Sequence, residues 1–441
     1  VTDAYYLVSD LHIGGDEQLR HVDFREELIG FLRELERGDE DAELLINGDA
    51  FGLWEFTEVD GPAKLDALVA DYPDLFAQLR ATGERIPITL IPGNHDYELA
   101  AHDEYVERLA EYNVTLDQSV SITRDLGDSV VHVEHGMQED PNNRIPDFGN
   151  PYANPPGYFV NRQITSRAGR LSDRGKYNWL RDIQAVTPMT QIPDWLVSNY
   201  FYREMSAWLR FVVLPFLLLF NAALWYVGVV ALDATGIWSL PMTLVQDALA
   251  LFGPVGYLVD IVLAANLVLV GLLAAVAVPL YVFFRDVRKT LRRFGLVREG
   301  DGEDPVEKYL DRAREVFRTD PAVAVYVYGH THRPSTTAMD GRLVINTGTW
   351  LKRLHRVDPP VGLLPPVYYS SYRLNYFRLT AADDGGVRVD YEVIDKPDPD
   401  DETLLQRLLT RPPDPEEPIP ETTVVDPPGP PDARVSEPAE E

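Results

Sequence analysis

Five short polar motifs, each closing an apolar run, constrain this chain more than any other feature: Asp10-Leu11-His12, Gly48-Asp49, Gly93-Asn94-His95-Asp96, His135-Gly136 and Gly329-His330-Thr331-His332. The runs before them, 5–8, 43–46, 86–91, 129–133 and 323–328, are rich in β-branched and aromatic residues and end in polar or glycine turns, which predicts strands. Residues at the carboxyl ends of strands gather on one rim of a sheet, where α/β folds place their sites. Five of the nine histidines fall inside these motifs, while His21, His102, His132 and His355 read as structural.

The residue types are those of a two-metal site. Two divalent ions roughly 3.5–4 Å apart can clamp both the attacking and the leaving oxygen of an in-line phosphoryl displacement, and one ligand must bridge them. Asp49 is the sole acid of its motif and is assigned that bridge. Asp10 and His12 stand on alternate positions and can chelate one ion, and the neutral amide oxygen of Asn94 suits the second ion beside His135. A bend at Gly329 can send His330 and His332 one to each metal. His95 is then left over as a general acid, with Asp96 expected to orient its ring and hold it protonated.

In this order, and over residues 5–135 and 323–350, the motifs resemble the DxH, GDxxD, GNHD/E, GH and GHTH signature of calcineurin-like metallophosphoesterases. The resemblance implies Asp10, His12, Asp49 and His332 on one metal, Asp49, Asn94, His135 and His330 on the other, and His95 as the acid. Gly52 departs from the pattern by replacing the last Asp of GDxxD, which predicts an altered surrounding of the metals rather than a lost ion. The stretch Asn47-Gly-Asp-Ala-Phe-Gly-Leu-Trp54 also looks like the form seen in the UDP-2,3-diacylglucosamine pyrophosphatase branch, although GNHD here differs from the GNRD of those enzymes. Asn346-Thr-Gly-Thr-Trp350 resembles the element that follows the metal histidines in the family.

Between His135 and Gly329 lie two segments free of charge, 211–232 and 261–284, of 22 and 24 residues. As helices they reach about 33 and 36 Å, enough to cross a hydrocarbon core of roughly 30 Å, so both are expected to be transmembrane. Arg203 and Arg210 precede the first, and Arg285, Arg288, Lys289, Arg292 and Arg293 follow the second, whereas 233–260 carries three Asp and no Lys or Arg. The positive-inside rule puts that loop outside, with Trp208, Trp225, Trp238, Tyr257 and Tyr281 as interfacial anchors. Both flanks return to the cytoplasm, and no secretory signal precedes the first strand, so the catalytic domain and both termini are expected there. The expected location is the cell membrane.

Residues 162–181 hold Arg162, Arg167, Arg170, Arg174, Lys176 and Arg181 against one acid, Asp173. This local reversal suits either a basic cap that meets substrate phosphates or a juxtamembrane segment obeying the charge rule. Across the chain 70 acidic residues face 40 basic ones, of which six are lysine, for a net charge of -30. Such a balance resembles proteins of salt-loving archaea, where salt screens self-repulsion, and it argues against nucleic acid as substrate. With no Cys, disulfides and thiolate ligands are excluded. Ten of the last thirty residues are Pro and nine are acidic, which predicts a disordered tail.

The expected fold is a four-layer α/β/β/α metallophosphoesterase sandwich with an inserted transmembrane hairpin. Its parts are the first half of the domain at 1–150, a cap at 151–204, the hairpin at 205–285, a helical segment at 286–320, the second half at 321–395 and the tail at 396–441. The strands 342–347, 369–380 and 387–394 are expected to close the second sheet, with 383–386 as a hairpin turn. The function expected is hydrolysis of a phosphomonoester, phosphodiester or pyrophosphate, lipid-linked if drawn from the bilayer, by hydroxide held between two ions. Mn²⁺ is the first expectation, with Fe, Zn or Ni also suited to four imidazoles, two carboxylates and an amide. The rival readings are a phosphodiesterase of soluble, cyclic nucleotides and a non-catalytic membrane-tethered scaffold. The sequence does not speak to oligomeric state.

Overall fold

In a computed structural model the described residues are all but 1, 175, 189–190, 237–239, 294–305, 361–362, 414–417 and 428–441. Trp238 and the side chains of Arg170, Lys176, Arg288, Arg292 and Arg293 therefore lie outside the description, as does the end of the tail.

Two mixed sheets face each other. The first runs β14-β13-β12-β1-β2-β3-β4, from β1 (Ala4–Val8), β2 (Ala42–Asn47), β3 (Ile88–Ile91), β4 (Val114–Leu116), β12 (Leu374–Ala381), β13 (Val387–Ile394) and β14 (Thr422–Val425). The second runs β5-β6-β7-β9-β8, from β5 (Ser121–Leu126), β6 (Ser129–Glu134), β7 (Val323–Tyr328), β8 (Ser335–Met339) and β9 (Arg342–Asn346). β1 to β4 are parallel, and so are β6, β7 and β9. A separate pair joins β10 (Arg353–Val357) to β11 (Val367–Ser371).

Period-two alternation decides which side chain enters which layer. In β1, Tyr5 and Leu7 meet Val131, Val133, Val325, Val327 and Ile345 between the sheets. Ala4 and Val8 point the other way, into a cluster with Leu28, Phe31 and Leu32 of the helix Arg25–Arg37 and Leu75 and Phe76 of the helix Pro73–Arg85. The helix Glu307–Thr319 covers the far face of the second sheet through Tyr309, Ala313, Val316 and Phe317. The result is the expected helix, sheet, sheet, helix stack.

Three expectations need correction. β12 pairs with β1, and β13 with β12, in the first sheet instead of closing the second, and 369–380 is split between β11 and β12. Alternation tells which residues face a core, but Phe377, Leu379 and Val389 face a core shared by both sheets, so it cannot choose between them. The segment 396–441 is ordered in part: Leu404–Leu409 is a helix with a Thr403–Gln406 capping box, and β14 adds to the edge of β13. The β-branched run Thr422-Thr423-Val424-Val425 explains this, with Val425 buried between the sheets.

The first apolar segment is not one straight helix. Ala207–Leu218 and Phe220–Ala234 meet at a 46° bend, one turn after Pro215, which offers no N–H to the ladder. The second lies within one helix, Pro254–Arg293, whose part Pro254–Phe283 is long and apolar enough to cross a membrane alone. The connection expected as a loop contains a helix, Leu240–Leu251. Asp311, Arg314 and Glu315 of Glu307–Thr319 face solvent, while Tyr309, Ala313, Val316 and Phe317 pack on the second sheet.

Candidate metal centre

The loops after β1, β2, β3, β6 and β7 deliver all seven expected ligands to one rim. Asp10, His12 and His332 present ligand atoms within 4.8 Å of one another, and so do Asp49, His135 and His330. His12 Nε2 lies 3.1 Å from His332 Nε2, and Asp10 Oδ1 lies 3.2 Å from His332 Nε2. In the other group His135 Nε2 is 3.2 Å from Asp49 Oδ2 and 3.3 Å from Asn94 Oδ1. Asp49 Oδ2 is also 3.7 Å from His12 Nε2, which places this carboxylate between the two groups, where a bridging ligand belongs.

Backbone geometry at the rim is unusual. Asp10, His12, Asp49, His330 and His332 all have φ between 44° and 67°. Left-handed backbone at a residue with a Cβ costs of order 1–3 kcal/mol and persists only where its surroundings enforce it. Here Asp10 N–H donates to Gly48 O, His12 N–H to Asp49 O, and Thr349 Oγ1 to Asp10 O. Asn346 Nδ2 donates to Gly329 O and Thr331 Oγ1, so the Asn346–Trp350 element fastens the last histidine loop. Gly93 is required by close approach: a Cβ there would stand 2.2 Å from Asp49 Oδ1.

The donor set fits divalent cations on two observations. Asp10 Oδ1 is buried and makes no well-formed hydrogen bond, facing only the ring nitrogens of His332 at 3.2 Å and His12 at 3.8 Å, which themselves can turn lone pairs to a cation. Burial opposes charge on His135, yet Asp49 and Asp10 hold that ring up at about 10, a sign of excess buried negative charge. His135 Nδ1 bonds to Asn47 O at 2.9 Å, the outer contact that orients a ligating imidazole through its other nitrogen. His330 Nε2 has the same kind of support from Asp140 Oδ2 at 3.1 Å.

His95 stands beside this centre, its N–H donating to Asp49 Oδ1 at 2.7 Å. Its ring is held by Glu55, not by Asp96: Nδ1 is 2.9 Å from Glu55 Oε1, which also accepts from Asn161 Nδ2. Asp96 is turned away because its carboxylate caps the backbone N–H groups of Gly93 and Phe51. Burial and the neighbouring Asp49 push Asp96 up to about 7. Burial works against a charged His95, but Glu55, Asp49 and Asp96 outweigh it and hold the ring up at about 9. Trp54 lies over it with ring centroids 4.5 Å apart. Sequence reading missed Glu55, Asp140 and Asn161. Gly52 leaves room for the Glu55 carboxylate, since a Cβ there would stand 2.8 Å from Gly14 O and 3.0 Å from Glu55 Oε2.

The centre opens into a cavity of about 830 Å³. Among the described residues no arginine of the basic segment lines it: Arg167 and Arg174 face solvent, Arg162 lies over Tyr158, and Arg181 pairs with Asp23 and Asp182. Among the described residues the cations on its wall are Lys308 and Arg333.

Three solved structures are among those matched to the chain. A dimetal phosphatase from Danio rerio is 10% identical, covering 89% of this chain and 96% of its own, with a TM-score of 0.33. Vps29 from Entamoeba histolytica, complexed with zinc, is 8% identical over 88% and 92%, at 0.28. Phosphopantetheinyl hydrolase from Mycobacterium tuberculosis is 13% identical over 78% and 89%, at 0.26. No curated protein matches the chain. The family model of calcineurin-like phosphoesterases matches residues 5–227, half of the sequence. With that match the chain belongs to the calcineurin-like phosphoesterases and is a metal-dependent hydrolase of phosphate esters.

Proposed function

We propose that this chain is a membrane-anchored phosphoesterase that uses two metal ions, Mn²⁺ before Fe, Zn or Ni, to hydrolyse a phosphate ester presented at the inner leaflet. The observation that carries the reading is the convergence of Asp10, His12 and His332 with Asp49, His135 and His330 beside a histidine held by a buried carboxylate. When bound, the ions supply charge for the phosphate oxygens and acidify a water. Asp10, His12, Asp49 and His332 would hold one, and Asp49, Asn94, His135 and His330 the other. His95 gives its proton to the leaving oxygen, with Glu55 and Asn161 fixing the ring. Lys308 and Arg333 add positive charge to the cavity through which an anionic substrate enters.

Anchoring rests on the apolar helices between β6 and β7. Tyr257, Leu272, Val276 and Tyr281 are exposed along Pro254–Phe283, and Arg203 and Arg210 on one flank and Arg285 and Lys289 on the other favour the cytoplasm for the hydrolase halves 1–150 and 321–395. The acidic, lysine-poor composition suits a high-salt interior.

The test is hydrolysis of p-nitrophenyl phosphate and bis-p-nitrophenyl phosphate by the purified full chain in high salt, with Mn²⁺ or with EDTA. Turnover that needs the metal supports the reading and ranks monoester against diester. No turnover with metal bound overturns it. Because the chain has no Cys, single substitutions Thr235→Cys and Thr380→Cys report topology, with an impermeant maleimide expected to label the first from outside and not the second.

A further inference from the structure

The cavity has two chemistries. Its floor is the metal centre with His95, but much of the remaining wall is Ile183, Val186, Ile192, Val306, Leu351 and Ile419. Ile183 and Val186 are fixed from behind by Trp179, Trp195 and Tyr368, so this wall is a packed surface and not a loose flap. Resting on the phosphoesterase reading, we propose that the substrate's leaving alcohol is an apolar chain seated against this wall.

Where the wall comes from in the chain supports the same occupant. Residues 183–192 lead through the helix Ile192–Asn199 to Ala207, where the apolar helices begin. Val306 stands on the other side of the same insertion, after Pro254–Arg293. Both strands of chain that join the hydrolase body to the apolar helices thus contribute apolar surface to the cavity. This apolar surface and the metal-binding residues line one and the same cavity. Lys308 is two residues from Val306, so a cation for the phosphate and surface for the chain come from one turn. In the reaction water adds to phosphorus, the bond from phosphorus to the alcohol oxygen breaks, and the proton of His95 passes to that oxygen. The products are phosphate and a free apolar alcohol.

The test is calorimetric binding of n-alkylphosphonates, methyl to hexyl, to the metal-loaded full chain in detergent, with heats of protein-free micelles subtracted. The carbon–phosphorus bond prevents turnover, so binding is read without catalysis. Expected is a dissociation constant that falls about threefold per methylene, with an increasingly negative heat-capacity change. The double variant Ile192→Asn, Leu351→Asn is expected to flatten that slope. The slope is a ratio within one protein, so partial loss of folded material cancels. A dissociation constant independent of chain length, or a full slope kept by the double variant, overturns the proposal. If p-nitrophenyl phosphate is still hydrolysed in that case, the phosphoesterase reading stands without it. If it is not hydrolysed, that reading falls on its own evidence.

Discussion

The helices Pro254–Arg293 and Glu307–Thr319 follow one another in the chain and meet opposite surroundings. Glu307–Thr319 has one apolar stripe, Tyr309, Ala313, Val316 and Phe317, and turns Asp311, Arg314 and Glu315 to solvent. The longer helix exposes Tyr257, Val268, Leu272, Val276 and Tyr281, and it has no charge from Ile261 to Phe284. In water each such side chain forgoes about 1.5–3 kcal/mol that burial would supply. The two helices differ in the character of the surface that their side chains present. The hydrolase body turns charges to solvent, and the insertion presents an uncharged apolar surface.

Experiments that separate the two regions sharpen this contrast. Asp49→Ala removes the carboxylate between the two ligand groups and is expected to lower kcat/KM by roughly 10³-fold or more, while membrane fractionation is unchanged. EDTA should produce the same loss in the wild type, reversed by Mn²⁺. The pair Leu272→Arg, Val276→Arg does the converse. Each arginine at the centre of a spanning helix costs about 2.5–3.5 kcal/mol, so the chain should leave the membrane fraction on flotation. Recovery of that variant in the membrane would break the contrast.

A third test addresses the docking of Glu307–Thr319. Glu134 is buried and bonded to His132, Arg312 and Tyr326. Burial alone would raise its carboxyl, but these partners lower it to about 2. The folded value lies below the unfolded one, so this stability is complete above about pH 4.5 and is lost as pH falls towards 2. The linkage amounts to a few kcal/mol. Denaturant titrations from pH 6 to 3 should show the loss in wild type and a smaller one in Glu134→Gln. The smallest expected effect is Glu55→Gln, about 10- to 100-fold in kcat, because Glu55 positions His95 without touching substrate. Its pH–rate profile should lose the basic limb at lower pH than wild type. An unchanged profile would make Glu55 merely structural.

The metal motifs were legible because the chemistry demands particular side chains at strand ends, and spacing preserves that demand even across the insertion. Glu55 was not, since its approach to His95 depends on a tight turn at Leu53–Glu55 that no periodicity announces. The basic segment shows the limit of charge counting: composition located Arg162 to Arg181 in the chain but not the direction in which they face. Averaging over a Pro-rich tail similarly concealed the four residues of β14. The position of β12 beside β1 followed from which core was shared, a fact outside any single strand's pattern.

β6 and β7 are paired, yet the whole helical insertion lies between them in the chain. A ribosome therefore releases Asp10, His12, Asp49, Asn94 and His135 well before it releases His330 and His332. During that interval the nascent chain holds at most part of each ligand set, and the parallel pairing that brings the last histidines home must wait until the apolar helices have been made. Synthesis order makes the centre a late product of the chain, completed only after the helices that would anchor it.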